Sequence, residues 1–211
     1  EGSDLAASAA YSRYVRDALD AVGSDPMLAG VPGGAEREVR LIHERGLAFQ
    51  LGLDAYEPAR AHRDALAATA DPWWSGLGPA WRYRVYDGRL RELAGDLPGA
   101  LAELDGALDD VDSVRAGLRG DQVKTAFHST REVQSAHVDA ARVALRLAER
   151  AAAAGDADGV RRHREAALGY LERAQSRALL DLMRTNTAAS VAALPPDLVA
   201  GWRAAGAAVT L

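Results

Sequence analysis

Cysteine does not occur in the 211 residues of this chain. Its absence excludes disulfides, thiolate metal sites and a cysteine nucleophile within these residues. Basic residues are nearly all arginine, with Lys124 as the single lysine, and the formal net charge is -5. A general nucleic-acid binder needs a surplus of basic charge on one face to neutralise phosphates. The composition therefore argues against a nucleic-acid partner.

Long apolar runs and strand patterns are missing as well. No stretch reaches the roughly 18 to 20 apolar residues that span a bilayer, and no charged segment precedes an apolar one as in a signal peptide. We therefore expect a soluble, cytoplasmic chain with no membrane partner. Alternating apolar and polar runs bounded by turns, the usual sign of β-strands, are almost absent. We expect an all-α fold.

Helical periodicity runs through most of the chain. The first stretch places Tyr11 and Val15 on one face and stops at Gly23, before a loop rich in proline and glycine. A long helix is predicted from about Gln122 to Ala154, where the sequence AAGDADG interrupts the pattern. Helix pairs joined by short turns of glycine and aspartate indicate internal repeats.

The clearest repeat unit spans Trp81–Val114. Its small residues have a spacing that resembles the tetratricopeptide motif, a repeat of about 34 residues. These small residues are Gly88, Gly95, Ala100 and Ala107. They allow two helices to approach closely, while leucines at 97, 101, 104 and 108 fill the seam. With a second unit that turns at Gly155–Asp156 and a partial earlier one, the resemblance implies degenerate tetratricopeptide-like antiparallel helix pairs stacked in a right-handed superhelix.

We divide the chain into three parts on this basis. Residues 1–33 are predicted to form an N-terminal helix and loop, residues 34–185 the degenerate repeats, and residues 186–211 a linker and the start of a further helix. The chain opens on Glu1 without an initiator methionine and stops while a helical pattern is still running. We therefore expect a fragment whose C-terminal domain lies beyond Leu211.

One helix carries a more specific resemblance. The sequence ALGYLERAQSRALLDLM, residues Ala167–Met183, closely resembles the segment that ends the helical repeat region of bacterial CHAT-domain proteins, which are caspase-like proteases with tetratricopeptide repeats. The preceding long helix looks like the penultimate repeat of that family, and the similarity covers about Gly95 to Met183. Gly169 and Gln175 depart from the family pattern.

The resemblance implies the function of one part of a larger enzyme. In that family the peptidase domain follows this region and uses a His–Cys dyad, whereas this chain has no cysteine to inherit the nucleophile. We expect a non-catalytic interaction and regulatory region that binds a peptide or protein partner, including the C-terminal domain of its own chain. The rival is a free-standing tetratricopeptide scaffold or a sensor module of a bacterial signalling or transcriptional regulator, since such repeats serve many hosts.

Residue clusters with known chemistry predict no cofactor or metal site. His43 and Glu44 lack the second histidine of a zinc-binding helix, and Gly33 and Gly34 lack the rest of a phosphate-binding loop. The basic cluster Arg161–Arg164 is typical of a solvated helix face, although a phosphate or acidic-peptide site is conceivable there. A further alternative is that the chain is an enzyme in its own right, but no cluster of catalytic residue types in the sequence supports it.

The tetratricopeptide resemblance implies a concave groove lined by the first helix of each pair. Mapping the motif onto the chain gives the predicted partner-binding residues Arg82, Val85, Arg89, Glu92, Leu93, Arg142, Leu145 and Glu149. This mixed basic and apolar lining suits a peptide with acidic groups. A second candidate surface contains Trp73, Trp74 and Trp81. These aromatics either wedge a loop onto neighbouring helices or form an interface hot spot.

Overall fold

The computed structural model describes residues 2–68, 80–119, 123, 127 and 130–192, except for the side chains of residues 2, 3, 29 and 176–192. This part of the chain is helical apart from short turns and contains no β-strand, so the expected all-α fold is confirmed for it. None of its helices combines the length and apolar character needed to cross a membrane. The helices are α1 (Gly2–Ser24), α2 (Pro26–Ala29), α3 (Gly34–Gly52), α4 (Tyr56–Ala68), α5 (Ala80–Leu93), α6 (Leu97–Gly117), α7 (Arg131–Ala153) and α8 (Ala157–Ala192).

Consecutive helices form three hairpins, each joined by a turn of three residues. The hairpins are α3 with α4, α5 with α6, and α7 with α8, and the contacts within each pair are the most extensive in the described part. A connection this short returns the chain alongside the preceding helix, so the partners are antiparallel neighbours. Neighbouring hairpins meet through α3 and α5, through α5 and α7, and through α6 and α7, while α1 packs against α3.

The same helix ending recurs in all three hairpins. One residue of each turn has a positive φ, which is 52° at Asp54, 84° at Gly95 and 75° at Gly155. Its amide donates to the carbonyl three residues back, and the next amide donates to the carbonyl five residues back. This Schellman ending satisfies carbonyls that the helix leaves unpaired. The units that share it are Gln50–Ala55, Arg91–Asp96 and Ala151–Asp156.

The aspartate after each turn glycine begins the next helix. Asp96 Oδ1 accepts a hydrogen bond from the Gly99 amide at 3.0 Å, and Asp156 Oδ1 accepts one from the Gly159 amide at 2.8 Å. A carboxylate in this position satisfies an amide that has no partner within the helix. The Gly-Asp dipeptide recognised in the sequence therefore both ends one helix and starts the next.

The leucines predicted to fill the seam between α5 and α6 are buried or, at Leu101, partly buried, but they pack mainly against the third hairpin. Leu97, Leu104 and Leu108 are buried, in a core that α6 shares with α7 and α8. Gly88 of α5 allows the close approach expected of a small residue there, because an added Cβ would lie 2.9 Å from Leu104 Cγ and 3.2 Å from the Ala100 carbonyl oxygen. The helix contact would have to open to admit any larger side chain.

Two predicted boundaries differ from the structure. The long helix expected from about Gln122 begins as α7 at Arg131, because Thr130 has an extended conformation (φ -61°, ψ 137°) that cannot continue a helix. At the other end, the linker expected from residue 186 is helical up to Ala192, and residues 193–211 lie outside the described part. Helical periodicity alone predicts neither the start of α7 at Arg131 nor the continuation of α8 to Ala192.

Helix α1 is attached to α3 by a buried amide. Gln50 is fully buried; its Oε1 accepts from Ser8 Oγ at 2.6 Å, and its Nε2 donates to the Ser8 carbonyl and to Ser12 Oγ, both at 3.2 Å. Beside this contact the rings of Tyr11 and Phe49 stack with their centroids 4.1 Å apart. The N-terminal helix is therefore packed against the first hairpin by specific polar contacts as well as by apolar area.

A histidine pair joins α3 to α4. The Nδ1 atoms of His43 and His62 lie 3.0 Å apart, so one ring donates and the other accepts. Gly46 makes room for the ring of His62, since a Cβ there would lie 2.6 Å from it. Burial, together with the neighbouring His43, lowers the pKa of His62 from 6.5 to about 4, and burial also lowers the pKa of His43. The folded hairpin therefore favours neutral imidazoles.

Replacing glycine by alanine should change the stability in opposite directions at Gly155, which lies in a turn, and at Gly169, which lies within α8. Gly155→Ala should lower the free energy of unfolding by about 1 kcal/mol, because a side chain is strained at positive φ. Gly169→Ala, within α8, should raise it by about 0.5–1 kcal/mol, because alanine favours a helix. Neither added Cβ meets another atom within 4 Å, so packing does not differ between the sites. Urea denaturation measures both, and effects of the same sign would contradict this account.

The histidine pair predicts a loss of stability in acid. Between pH 6.5 and about 4 the unfolded chain protonates His62 and the folded chain does not, so the free energy of unfolding falls as the pH falls through this window. The full loss is on the order of 3 kcal/mol. His62→Gln should flatten the profile measured by urea denaturation at several pH values. His163→Gln, a histidine of α8 outside the pair, is the control, and a His62→Gln profile as steep as that of wild type would refute the assignment.

Candidate partner-binding groove

A cavity of about 580 Å³ lies between the first helices of the three hairpins, α3, α5 and α7. We call this cavity and its lining the groove. Its lining residues are Ala48, Leu51 and Gly52 from α3, Trp81, Arg82, Val85, Tyr86 and Arg89 from α5, and Arg131, Glu132, Ser135 and Asp139 from α7. Each hairpin thus contributes one helix, and in each case it is the first.

The predicted residues divide between the groove and other places. Four of them, Trp81, Arg82, Val85 and Arg89, line it. The remaining described ones lie outside its lining: Glu92 is buried, Leu93 is partly buried against a core of α3, α4 and α5, Arg142 is partly exposed, and Leu145 and Glu149 are exposed on α7. Trp73 and Trp74 lie outside the described residues.

Trp81 anchors one wall of the groove. It is 2% exposed and shares a core cluster with Ala107, Val111 and Val133, which come from α6 and α7. Phe127 meets its ring edge to face, with centroids 6.5 Å apart. Trp81 lies within α5 and not in a loop, and its ring both packs on α6 and α7 and lines the groove.

Arg82 is held between carboxylates of the two flanking helices. Its Nη2 lies 2.7 Å from Glu132 Oε2 of α7, and its Nη1 lies 4.0 Å from Glu44 Oε1 of α3. The guanidinium also sits over the ring of Trp81, 5.6 Å from its centroid. The charge predicted to meet a partner is therefore already paired within the chain.

Arg89 is a junction between the first and third hairpins. Its Nη2 donates to the Leu51 carbonyl at the end of α3 at 3.2 Å and lies 2.9 Å from Asp54 Oδ1 in the turn that follows. Its Nη1 lies 3.4 Å from Asp139 Oδ1 of α7 and 3.7 Å from Glu92 Oε2. With its side chain 16% exposed, Arg89 acts mainly as a structural tie.

Glu92 is the buried centre of a layer of charged side chains, which we call the polar layer. Its other members are Asp54, Arg89, Asp139, Arg142 and Arg146. The side chain of Glu92 is 4% exposed and accepts hydrogen bonds from Arg142 Nη2 at 2.7 Å and from Arg146 Nη1 at 2.9 Å. Burial acts to raise the pKa of Glu92, but the hydrogen bonds from Arg142 and Arg146 outweigh it and the pKa is lowered below 4.5. Burial raises the pKa of Asp139, with Arg142 and Arg89 opposing the rise.

Several lining residues were not found from the sequence. Ala48, Leu51 and Gly52 belong to a helix that fits the repeat motif poorly, and the α7 contribution lies one to three turns before the residues that the motif picked out. The sequence did contain one usable signal, because Arg131, Ser135 and Asp139 recur every four residues on one helix face. Using that signal requires knowing where α7 begins.

The chemistry of the groove is that of its charged, phenolic and apolar side chains. Within the described residues, no group of three or more histidine, cysteine, aspartate or glutamate side chains is arranged to hold a metal ion. Burial raises the pKa of Tyr86 to about 12, so its phenol stays protonated at neutral pH. The arrangement is that of an apolar surface bordered by paired charges, which suits binding.

Comparison with known proteins gives no relative of this chain. No protein-family model, no curated protein and no solved structure matches it. The function must therefore be argued from the residues and from the geometry of the groove.

The position of Glu92 predicts a large loss of stability on neutralisation. Glu92→Gln leaves Arg142 and Arg146 without their buried carboxylate and should lower the free energy of unfolding by about 2–3 kcal/mol. We place the loss below the full range for a broken buried pair, because these guanidinium side chains are 39% and 45% exposed and water can solvate them. Urea denaturation against Glu149→Gln, an exposed glutamate of α7, is the measurement. A loss no larger than that of the control would contradict it.

Proposed function

We propose that this chain is a protein-interaction and regulatory region built from tetratricopeptide-like hairpins in a right-handed superhelix. It is non-catalytic by itself and binds a peptide or protein partner in the groove between α3, α5 and α7. Its host is a CHAT-type caspase-like protease, and the C-terminal domain of that protease is one of its partners.

One observation carries the proposal: the first helices of three successive hairpins line a single cavity. In repeat proteins each unit contacts its neighbours, and the row of equivalent helices forms an extended concave surface used for binding. The recurrence of one turn geometry at three places supports the equivalence of the hairpins. A pocket lined by only one hairpin would not have supported a binding surface formed by successive repeats.

The chemistry of the groove supports a peptide as the occupant. Its volume of about 580 Å³ falls within the range of about 300–1,000 Å³ typical of ligand sites. Ala48, Val85 and the Tyr86 ring offer accessible apolar surface in the lining, and tyrosine and arginine are among the residues that dominate the energetics of protein interfaces. Because Arg82 and Arg89 are paired within the chain, we ascribe the binding energy mainly to this apolar surface.

The host rests on the resemblance of Ala167–Met183 to the end of the CHAT-protein repeat region. The second candidate is a free-standing scaffold or a sensor module of a bacterial signalling or transcriptional regulator. The repeats and the groove support both equally. The parent reading frame separates them, since a CHAT-type protease has a histidine and then a cysteine within an α/β pattern after Leu211.

Filling the groove should weaken partner binding. Ala48 and Ser135 are exposed on α3 and α7 and line the groove without belonging to a core cluster. Ala48→Trp and Ser135→Trp should each weaken, by at least about tenfold, the binding of peptides selected on the wild-type chain from a random dodecapeptide display library. Fluorescence anisotropy with the resynthesised peptides measures the dissociation constant.

The matched control places the same bulk elsewhere. Ala102→Trp changes an exposed alanine of α6 that does not line the groove, and its affinity should equal that of wild type. Thermal unfolding checks that all three variants fold. Selected peptides that bind both groove variants as tightly as the wild-type chain would exclude the groove as the binding surface.

A further inference from the structure

The third hairpin exposes leucines at positions that are covered in the second hairpin. The shared turn aligns the two hairpins, with Gly95 matching Gly155. This alignment matches Val85, Leu108 and Val111 of the second hairpin with Leu145, Leu168 and Leu171 of the third. Leu108 is 1% exposed, whereas Leu168 is 56% exposed, and Leu145 and Leu171 are exposed as well. We call the surface formed by these three exposed leucines the end face.

In the second hairpin, the matching positions pack against the hairpin that follows. Leu108 belongs to the core that α6 shares with α7 and α8, and Val111 shares a cluster with Val133 of α7. Val85 packs against both clusters. The last unit of a row of repeats needs a polar outer face unless something covers it, and an exposed apolar patch marks an interaction site. The end face is therefore built like a surface that another layer covers.

Two opposite charges flank the central leucine of the end face. Arg164 lies one turn before Leu168 on α8 and Glu172 one turn after it, so the three residues share one side of the helix. Both charged side chains are exposed. Within the described residues, the ion pairs of α8 are Arg161–Asp158, Arg162–Asp156 and Arg173–Asp112. Arg164 and Glu172 take part in none of these pairs.

We propose that the end face binds a second copy of this chain in a twofold-symmetric dimer. Two α8 helices that cross antiparallel at Leu168 place this leucine against its own copy. The same symmetry places Arg164 of each copy opposite Glu172 of the other, so the dimer contains two identical ion pairs. A parallel arrangement would instead oppose like charges. The surface is distinct from the groove, and the proposal does not depend on what the groove binds.

The length of α8 favours a second copy over the next segment of this chain as the occupant. α6 ends at Gly117, within two turns of Val111, and α7 packs at that place. α8 instead continues from Leu171 to Ala192, which is about 30 Å further at about 1.5 Å per residue. The part of the chain that follows Ala192 therefore begins far from the end face, whereas a second copy supplies an apolar face with complementary charges.

Sedimentation equilibrium of the whole chain tests the dimer. Between about 1 and 200 μM we expect a monomer–dimer equilibrium with a dissociation constant in the micromolar range. Leu168→Glu should weaken the dimer at least about tenfold, because it places two carboxylates against each other at the twofold axis. Leu5→Glu, which changes an exposed leucine of α1 outside the end face, is the control and should leave the dissociation constant unchanged.

Exchanging the flanking charges tests the antiparallel pairing. Arg164→Glu and Glu172→Arg each oppose like charges in the dimer and should weaken it at least about tenfold. The double variant restores both ion pairs and should recover the wild-type dissociation constant within about threefold. A mixture of the two single variants should form a one-to-one heterodimer, because every flanking pair in it is then of opposite sign. Thermal unfolding checks that these surface variants fold.

Each outcome either supports the dimer or overturns it. A chain that stays monomeric up to about 200 μM would refute the proposal and leave the end face to the rest of the host protein. A dimer that Leu168→Glu leaves intact would show that another surface forms it. Single charge variants that dimerise like wild type, or a double variant as weak as either of them, would contradict the antiparallel pairing. None of these failures affects the proposed function, because no residue of the contact lines the groove.

Discussion

The carboxylate of Glu92 is the point on which the arrangement of the hairpins depends. It belongs to α5, it is buried, and its hydrogen-bond donors Arg142 and Arg146 belong to α7. Arg89, one turn earlier on α5, continues the layer to Asp54 in the turn between α3 and α4. A buried charge left without a partner is strongly destabilising, so these guanidiniums are confined to the geometry that satisfies it. Ion pairs thereby fix the spacing of the three first helices.

The polar layer and the apolar seam have different tasks. The seam of leucines and alanines between α6, α7 and α8 supplies burial, which is non-directional and tolerates sliding. The charged layer among the first helices is directional: Arg89, Arg142 and Arg146 balance the carboxylates of Asp54, Glu92 and Asp139. The seam therefore favours association of the helices, and the ion pairs select one register. The shape of the groove follows from that register.

The sequence predicts what depends on short-range patterns. The helical periodicity, the burial of the α6 leucines, the small residue at Gly88 and the Gly-Asp turns involve residues a few positions apart, and the structure contains all of them, whereas the packing of those leucines on α7 and α8 depends on distant residues. The partners of Glu92 lie 50 and 54 residues further along the chain, and periodicity assigns a charged residue to the solvent. The pairing of His43 with His62 cannot be predicted from the sequence pattern either, because Gly46 makes space for the His62 ring only when α3 and α4 are packed together.

The largest difference between prediction and structure lies at the start of α7. Periodicity continues through Thr130 and predicts one helix from about Gln122, in which the amides near residue 131 would bond to carbonyls of the preceding turn. The extended conformation of Thr130 interrupts that helix, so α7 begins at Arg131, and Val133 of its first turn packs in one cluster with Trp81. Arg131 then stands at the positive end of the α7 dipole, where a basic side chain is unfavourable, and Glu132 of the same turn supplies the negative charge that is favourable there. The start of α7 is thus set by the backbone conformation of one residue, which the pattern of apolar side chains does not record.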